Sequence, residues 1–161
     1  AREAGTVNIS PKGMDSLKIL NTKQLIWLNY TGSGNESAAH IPENPRMTLM
    51  FCSFDKKPLI LRLYGQAKAI HPRDESWQEY CELFPETSGA RQFFTMDIDL
   101  VQTSCGLAVP FYEFIEEREA LLKWVEQIGN TGIEAYWVEK NQQSIDGFPT
   151  EILNKPTKDQ A

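Results

Sequence analysis

Apolar residues that alternate with polar ones, or follow one another in short runs, predict strands through the first two thirds of the chain. Residues 2–10 alternate, with Val7 and Ile9 between polar neighbours, as the residues of a half-buried strand do. Residues 25–31 form a more continuous run of leucine, β-branched and aromatic residues, and residues 91–104 form a longer one. We therefore predict a strand at each of these three places.

A hairpin is predicted in the middle of the chain. The apolar runs 46–54 and 59–70 are joined by the short polar linker 55–58, so the two strands should pair antiparallel. Residues 46–54 are apolar at both parities, which predicts a strand buried on both faces. Gly65 interrupts the second strand and predicts a bulge or bend, as a sheet needs where it curls into a barrel.

Helical periodicity is confined to shorter segments. Apolar residues recur at helical spacing over 77–84 and again over 121–128, where Gly129 marks the expected C-terminal end of the helix. A short helix is also predicted at 37–43, and a short helical or irregular piece at 133–141.

Together these elements predict a mainly β protein with appended helices, in which the sheet forms a closed or split barrel. The strands do not alternate regularly with crossover helices, which argues against a parallel sheet. The length favours one domain over residues 1–161, with a C-terminal helical extension over about 114–161. Because the first predicted strand is already under way at Arg2, we expect a further N-terminal segment to precede this sequence.

The charge balance and the cysteine and histidine counts narrow the classes of function. With a formal net charge of -6 over 161 residues, the chain is not expected to bind nucleic acid. No apolar run is long enough for a membrane helix, so no membrane partner is expected. The three cysteines lack paired spacing, which favours a cytoplasmic location, and the two histidines lack ligand spacing, which predicts no metal site.

A polar face is predicted on the first strand. Asn8, Ser10 and Lys12 alternate along it, so an amide, a hydroxyl and an ammonium group would point to one side. Such a set suits an anionic or polyhydroxyl ligand. The alternative is a solvated strand face that ends in a Pro-Lys-Gly turn, and the motif alone does not separate the two interpretations.

The loop TGSGNESAAH at 31–40 has the composition of an anion-binding corner. Gly32 and Gly34 allow close approach of the backbone, and the helix predicted after them would present free N–H groups. Side chains that could donate to a ligand or cap the helix are Ser33, Asn35 and Ser37. A glycine turn with a capped helix is the alternative, and the charge of Glu36 would compete with a bound phosphate.

Two further polar sets lie in later strands. Arg62 stands in the apolar run LILRLYG and, if buried, needs a carboxylate or a ligand anion; an internal ion pair or a water-facing edge strand is the alternative. Gln102 and Ser104 belong to the segment QTSCG, which also contains Cys105. Neither histidine lies near Cys105 in sequence, so we interpret this thiol as non-catalytic.

The order of these motifs resembles that of the pyridoxamine 5′-phosphate oxidase-like, FMN-binding split-barrel family. The segments that carry the resemblance are VNISPKGMDSL, LNYTGSGNESAAHIPENPRMTLMFCSF, LILRLYGQAKAI and VQTSCGLAVP, followed by W-x-E-K-N-x-x-S-I-D-G at 137–147. The chain is more closely similar to a branch with SPKG, GSGNE, MFCSF, RLYG and QTSCG motifs. The resemblance implies a six-stranded antiparallel Greek-key split β-barrel and a homodimer, with FMN bound at the subunit interface.

The resemblance also implies particular cofactor contacts. It places Asn8 and Ser10 near the flavin ring or ribityl chain, and Lys12 near the phosphate. For the second family segment, the implied contacts are Leu28, Asn29, Ser33, Asn35 and Ser37. The later strands are implied to add Arg62, and also Gln102 and Ser104, which would reach the cofactor of the second subunit.

By this resemblance the protein is an FMN-dependent oxidoreductase of unassigned substrate, with NAD(P)H or another small molecule as reaction partner. Two departures separate it from enzymes that oxidise vitamin B6. The loop after the second family segment reads Gly-Asn-Glu where those enzymes carry Arg-Lys, and residues 144–156 lack their Arg and His pattern. The alternatives are a non-enzymatic FMN carrier or sensor, a haem-binding relative, and a dimer without cofactor. No catalytic residue is identified.

Overall fold

The computed structural model describes residues 3–154 of the chain. Their strands are β1 Leu17–Asn21, β2 Gln24–Tyr30, β3 Arg46–Cys52, β4 Ile60–Ile70 and β5 Ala90–Ser104. Their helices are α1 Glu36–His40, α2 Trp77–Cys81 and α3 Ala120–Lys140. Arg2, where the first predicted strand begins, and residues 155–161 of the predicted C-terminal extension lie outside the described residues.

The strands form one antiparallel sheet in the order β1-β2-β5-β4-β3. The strands β2 to β5 have Greek-key order, since β2 lies beside β5 while β3, β4 and β5 follow one another as a meander. The predicted hairpin is β3–β4, and the mainly β architecture is confirmed. Within residues 3–154 the sheet has five strands, one fewer than the family resemblance implies.

One face of the sheet encloses an apolar cluster, the inner core. Its buried members are Leu25, Trp27, Ala38, Ile41, Ala67, Phe94 and Met96. Leu17 of edge strand β1 and Met47 of the opposite edge strand β3 both pack against it. Because residues from both edges contact one cluster, the sheet is curled in the manner of a split barrel.

Helix α2 covers the other face of the sheet, the outer face. Phe93 of β5 is fully buried there. Its ring centroid lies 4.6 Å from that of Trp77, 6.0 Å from that of Tyr80 and 5.4 Å from that of Phe84. These three residues belong to the stripe predicted over 77–84, whose packing on the sheet is confirmed, although the helix itself ends at Cys81 and Phe84 follows it.

Gly65 interrupts β4 at the predicted bulge. Tyr64 pairs with Leu100 whereas Gly65 pairs with Ile98, so β5 accommodates one extra residue at this point. A Cβ atom at Gly65 would lie 1.9 Å from the carbonyl oxygen of Asp97. Only glycine therefore allows the two backbones to approach this closely.

Helix α3 consists of two helical segments joined at Gly129, whose φ of 63° and ψ of -179° are not helical. The helix end predicted at this glycine is confirmed, and the piece predicted as helical or irregular continues as helix to Lys140. Val125 and Ile133 bury one side chain from each segment. Val125 packs so closely on Gly89, in the loop before β5, that a Cβ there would lie 2.5 Å from its Cγ2.

Two strand predictions are wrong. Residues 3–10 contain no strand, and the first strand is β1, which the sequence patterns did not reveal. The alternating Val7 and Ile9 are 69% and 87% exposed, so their spacing does not reflect a buried face. The strand β3 is not buried on both faces either; as an edge strand it has a neighbour on one side only, and Met50 is 58% exposed.

Residues 111–119 link the region after β5 to α3 without forming helix or strand, and their first half, 111–115, is largely apolar. The N–H of Tyr112 donates to the carbonyl oxygen of Phe54 at 3.1 Å, and the centroids of these two rings lie 5.3 Å apart. The other large apolar side chains of the segment are Phe111, Phe114 and Ile115, each at least 74% exposed. Contiguous exposed apolar residues of this kind mark interaction surfaces.

Candidate functional site

A cluster of polar groups closes one end of the inner core. Asn29 of β2 and Gln92 of β5 are register partners, and the Nδ2 of Asn29 donates to the Oε1 of Gln92 at 3.0 Å. The Nζ of Lys12 donates to the Oδ1 of Asn29 at 3.3 Å. With Arg91 and Glu36, described below, these residues form what we term the Lys12 cluster.

Residues 5–13 bring two predicted ligand contacts to this place, although they do not form the predicted strand. The Nδ2 of Asn8 donates to the Oγ of Ser37 at 2.9 Å, next to α1. Lys12, four residues later, reaches Asn29 in β2. The extended segment 5–13 therefore brings Asn8 to Ser37 and Lys12 to Asn29, as two separate hydrogen-bonded pairs.

Arg91 binds the backbone of the glycine loop, and the sequence analysis did not identify it as a site residue. It is 2% exposed, and its two terminal nitrogens donate to the carbonyl oxygens of Gly32 and Gly34. Its Nε donates to Gln92 at 2.9 Å. Burial lowers the pKa of Arg91 to about 10, while Tyr136 and Glu36 act in the opposite direction. The only signal in the sequence was an arginine at the start of the apolar run RQFF.

Residues at the C-terminal end of α3 also donate hydrogen bonds to the same loop. The Nε1 of Trp137 donates to the Oγ1 of Thr31 at 2.9 Å, and the Nδ2 of Asn141 donates to the Gly32 carbonyl oxygen at 2.9 Å. Asn35, an expected cofactor contact, instead donates to the carbonyl oxygen of Gln143 at 2.9 Å. Asn35 is 4% exposed, so its side chain serves the loop structure.

The charges around Lys12 oppose one another. Burial lowers the pKa of Lys12, the positive charge of Arg91 lowers it further, and the negative charge of Glu36 raises it. Glu36 is half-buried, and its Oε2 accepts a hydrogen bond from the backbone N–H of Asn35 at 3.1 Å. The two cations and one carboxylate give the cluster a net charge of about +1.

Three other expected contacts lie apart from these hydrogen bonds. Leu28 is 1% exposed, and its side chain packs on the outer face with Phe93. Ser10 and Ser33 are exposed, the first in the extended segment 5–13 and the second at the loop tip. A ligand seated on the Lys12 cluster could meet the two hydroxyls, whereas the Leu28 side chain points away from it.

The remaining expected contacts form a distal cluster at the other end of β4 and β5. The Nη1 of Arg62 donates to the Oγ of Ser104 at 3.0 Å, and the Oη of Tyr64 donates to the Oε1 of Gln102 at 3.1 Å. Arg62 is half-buried and takes a hydroxyl partner where the sequence suggested a carboxylate or a ligand.

The distal cluster and the Lys12 cluster occupy opposite faces of the sheet. Leu63 packs in the inner core, so its neighbour Arg62 faces outward, and Gln102 pairs with Arg62. Gln102 also lies ten residues along β5 from Gln92, which corresponds to about 30 Å at the usual rise per residue. One protomer therefore does not bring the two clusters to one ligand.

Other groups with chemical potential lie outside both clusters. His40 and His71 are 4% and 6% exposed, and burial lowers the pKa of His71 to about 4. Cys105 is exposed and all three cysteines are free. Within residues 3–154, no group of three or more His, Cys, Asp or Glu side chains could hold a metal ion. In the same part of the chain, no helix combines the length and apolarity needed to cross a membrane.

The arrangement suits binding of an anion more than acid–base or nucleophilic catalysis. Lys12 supplies an ammonium group, Ser37 a hydroxyl, and Asn8 and Asn29 amides, all beside a glycine loop. A Cβ added at Gly32 would meet nothing within 4 Å, so there is open space beside the loop.

The curled antiparallel Greek-key sheet places the protein in the class of split-barrel proteins. The sequence comparisons identify the family within this class. Residues 1–105 match the family model described as pyridoxamine 5′-phosphate oxidase. The chain belongs to this family, which confirms the resemblance seen in its motifs.

One curated relative matches over most of this chain. It is the "Pyridoxamine 5′-phosphate oxidase family protein ustO" of Aspergillus flavus, 34% identical over 160 residues. The match covers 89% of this chain and 64% of the relative, so the chain spans just under two thirds of the relative's length.

Two solved structures of HupZ from Group A Streptococcus are also similar. A histidine-to-alanine variant is 17% identical with a TM-score of 0.46, and the match covers 60% of this chain and 78% of that chain. A second HupZ structure is 18% identical with a TM-score of 0.44, covering 58% and 71%.

Proposed function

We propose that the protein binds FMN and acts as an FMN-dependent oxidoreductase. The observation that carries this proposal is the Lys12 cluster, in which the Lys12 ammonium group lies on the Asn29 amide, together with the neighbouring Asn8–Ser37 pair at the start of α1. Membership of the pyridoxamine 5′-phosphate oxidase family supports the choice of FMN among phosphate-bearing ligands.

The residues present fit the phosphate end of such a ligand. The side chain of Lys12 is the accessible cation of the cluster, because both terminal nitrogens of Arg91 already donate to loop carbonyls. In this proposal Lys12 and Ser37 hold the phosphate, while Asn8, Asn29 and Ser10 face the ribityl chain or the ring. Ser33 and the backbone at Gly32 complete the phosphate end.

We further propose that the functional unit is a homodimer with FMN at the subunit interface. The distal cluster, with Arg62, Gln102 and Ser104, lies about 30 Å along β5 from the Lys12 cluster and on the opposite face of the sheet. It would therefore contact the FMN seated on the other subunit. The exposed apolar residues of segment 111–119 support burial of this region by a second copy.

When bound, FMN supplies hydride and electron transfer, and the chain supplies binding, orientation and charge. We assign no catalytic residue. NAD(P)H or another small molecule is the proposed reaction partner. The loop sequence Gly34-Asn35-Glu36 in place of Arg-Lys argues against vitamin B6 as the substrate. The three free cysteines favour a cytoplasmic location.

A non-enzymatic FMN carrier or sensor is the second candidate, because the same cluster would hold FMN without turnover. The haem-binding alternative has less support, because the side chains of both histidines, His40 and His71, are buried. To separate carrier from enzyme, the FMN-loaded protein is mixed with NADH or NADPH under anaerobic conditions. Bleaching of the flavin spectrum, followed by recovery with an electron acceptor, is expected for the enzyme; a flavin that neither NADH, NADPH nor a panel of other small-molecule reductants bleaches favours the carrier.

The binding step is tested by titrating the purified protein with FMN. We expect a Lys12→Ala variant to bind FMN about tenfold or more weakly, because a hydrogen bond to a charged group is lost. Lys23→Ala, an exposed lysine in the β1–β2 turn, is the matched control and should bind like the wild type. If the wild-type protein does not bind FMN, the proposal is wrong. If all three proteins bind FMN with equal affinity, Lys12 is not part of the site.

A further inference from the structure

Glu36 places a negative charge beside the proposed phosphate position, where a phosphate site would not be expected to carry one. Its Oε2 accepts the backbone N–H of Asn35 at 3.1 Å and lies 3.6 Å from where a Cβ of Gly34 would be. The carboxylate therefore lies against the glycine loop and is held there by the Asn35 N–H.

The carboxylate also acts on both cations of the cluster. It raises the pKa of Lys12 and of Arg91 against the effect of burial, which lowers both. Arg91 has carbonyl and amide oxygens as its hydrogen-bond partners, and Lys12 has the amide oxygen of Asn29. Glu36 is thus a carboxylate that acts on both cations before any ligand binds.

We propose that Glu36 is the internal anion of the Lys12 cluster and sets how strongly the cluster prefers a ligand with a phosphate group. This inference rests on the proposed function, since it assumes that the phosphate of the ligand lies at Lys12. The carboxylate neutralises one of two positive charges and holds the Asn35 N–H. A phosphate dianion gains from Lys12 but is repelled by Glu36, whereas a flavin without phosphate is not repelled.

The experiment compares Glu36→Gln with the wild type in titrations with FMN and with riboflavin, which lacks the phosphate. Glutamine keeps the size and an acceptor oxygen of the side chain but removes its charge. We expect FMN to bind about threefold to tenfold more tightly to the variant, as for removal of one partly screened charge, and riboflavin to bind equally to both proteins. Glu79→Gln, an exposed glutamate of α2, changes the net charge equally and should leave both affinities unchanged.

Two outcomes of these titrations would overturn the inference. If FMN binds equally to the wild type and to Glu36→Gln, the carboxylate does not oppose the phosphate. If FMN and riboflavin both tighten by the same factor, Glu36 acts on the shape of the loop and not through its charge.

A second measurement needs no flavin. In the ligand-free protein, the ammonium group of Lys12 is titrated by NMR, and Glu36→Gln should lower its pKa while Glu79→Gln should not. An unchanged Lys12 pKa contradicts the internal anion whatever FMN does. If the wild type ignores FMN but the Lys12 pKa responds, the proposed function fails while the coupling of Glu36 to Lys12 stands.

Discussion

The two cations of the Lys12 cluster differ in how many of their hydrogen-bond donors the protein already uses. Arg91 is 2% exposed and bonded to the carbonyl oxygens of Gly32 and Gly34, so it fixes the shape of the loop. Among the described residues, Lys12 donates one hydrogen bond, of 3.3 Å, to Asn29, and an ammonium group has three donors. Lys12 is therefore the cation that we expect to meet a ligand.

His71 gives the fold a dependence on pH that is separate from ligand binding. Burial, followed by the charge of Arg73, lowers its pKa from 6.5 to about 4. Its ring is buried and its Nδ1 has no hydrogen-bond partner among the described residues. Protonation of His71 is therefore unfavourable in the folded state and easy in the unfolded chain.

We expect the free energy of unfolding to fall by about 3 kcal/mol on account of His71 as the pH drops from about 6.5 to about 4. The sign follows because the unfolded chain binds the proton first, so stability is lost towards acid. Urea unfolding across this pH range measures the loss, and His71→Asn, which does not titrate, should show a correspondingly shallower dependence. A His71 ring that titrates near pH 6.5 by NMR in the folded protein would contradict this account.

Elements whose apolar pattern is local could be predicted from the sequence. The apolar stripe over 77–84 predicted α2 and its packing side, which contacts Phe93. The short linker 55–58 predicted the β3–β4 hairpin. Strand β1 was missed because its five residues, LKILN, are too few and too exposed to show a clear period. The alternation over 3–10 led to a wrong strand prediction, because an exposed extended segment can have the same apolar–polar pattern as a half-buried strand.

Site contacts between distant residues could not be predicted in the same way. Trp137 and Thr31 are bonded across 106 positions, and Arg91 reaches the carbonyl oxygen of Gly32 across 59 positions. Such pairs depend on how the elements pack, not on local spacing. The family resemblance, not the residue pattern, suggested that Asn8, Lys12, Asn29 and Ser37 contact one ligand, and this stays a prediction. The division into one domain with a C-terminal extension stays a prediction.

The bulge between β4 and β5 should depend strictly on Gly65. In Gly65→Ala the new Cβ would lie 1.9 Å from the backbone oxygen of Asp97, so the strands must separate. We expect a loss of about 3 kcal/mol or more in the free energy of unfolding, measured by urea denaturation. Gly32→Ala is the control, since its Cβ meets nothing within 4 Å, and it should cost about 1 kcal/mol or less. Equal stability of the two variants would show that the strand approach at Gly65 is not tight.

For the whole molecule, the main consequence is the separation of the predicted cofactor contacts into two clusters. The Lys12 cluster lies at one end of the inner face, and the distal cluster of Arg62, Tyr64, Gln102 and Ser104 lies on the outer face about 30 Å along β5. If all of them contact FMN, each bound FMN must be shared between two chains. The central claim of this account is therefore a shared site in a homodimer.

Subunit complementation tests that claim most directly. Lys12→Ala and Arg62→Ala chains carrying different tags are produced together, the mixed dimer is isolated, and its FMN affinity and stoichiometry are measured beside those of each parent homodimer. In a shared site, the mixed dimer carries both substitutions in one cleft and neither in the other. We expect both homodimers to bind FMN weakly and the mixed dimer to bind one FMN per two chains with wild-type affinity. A mixed dimer that binds FMN as weakly as its parents, or a wild-type protein that sediments as a monomer with FMN bound, would contradict the shared site.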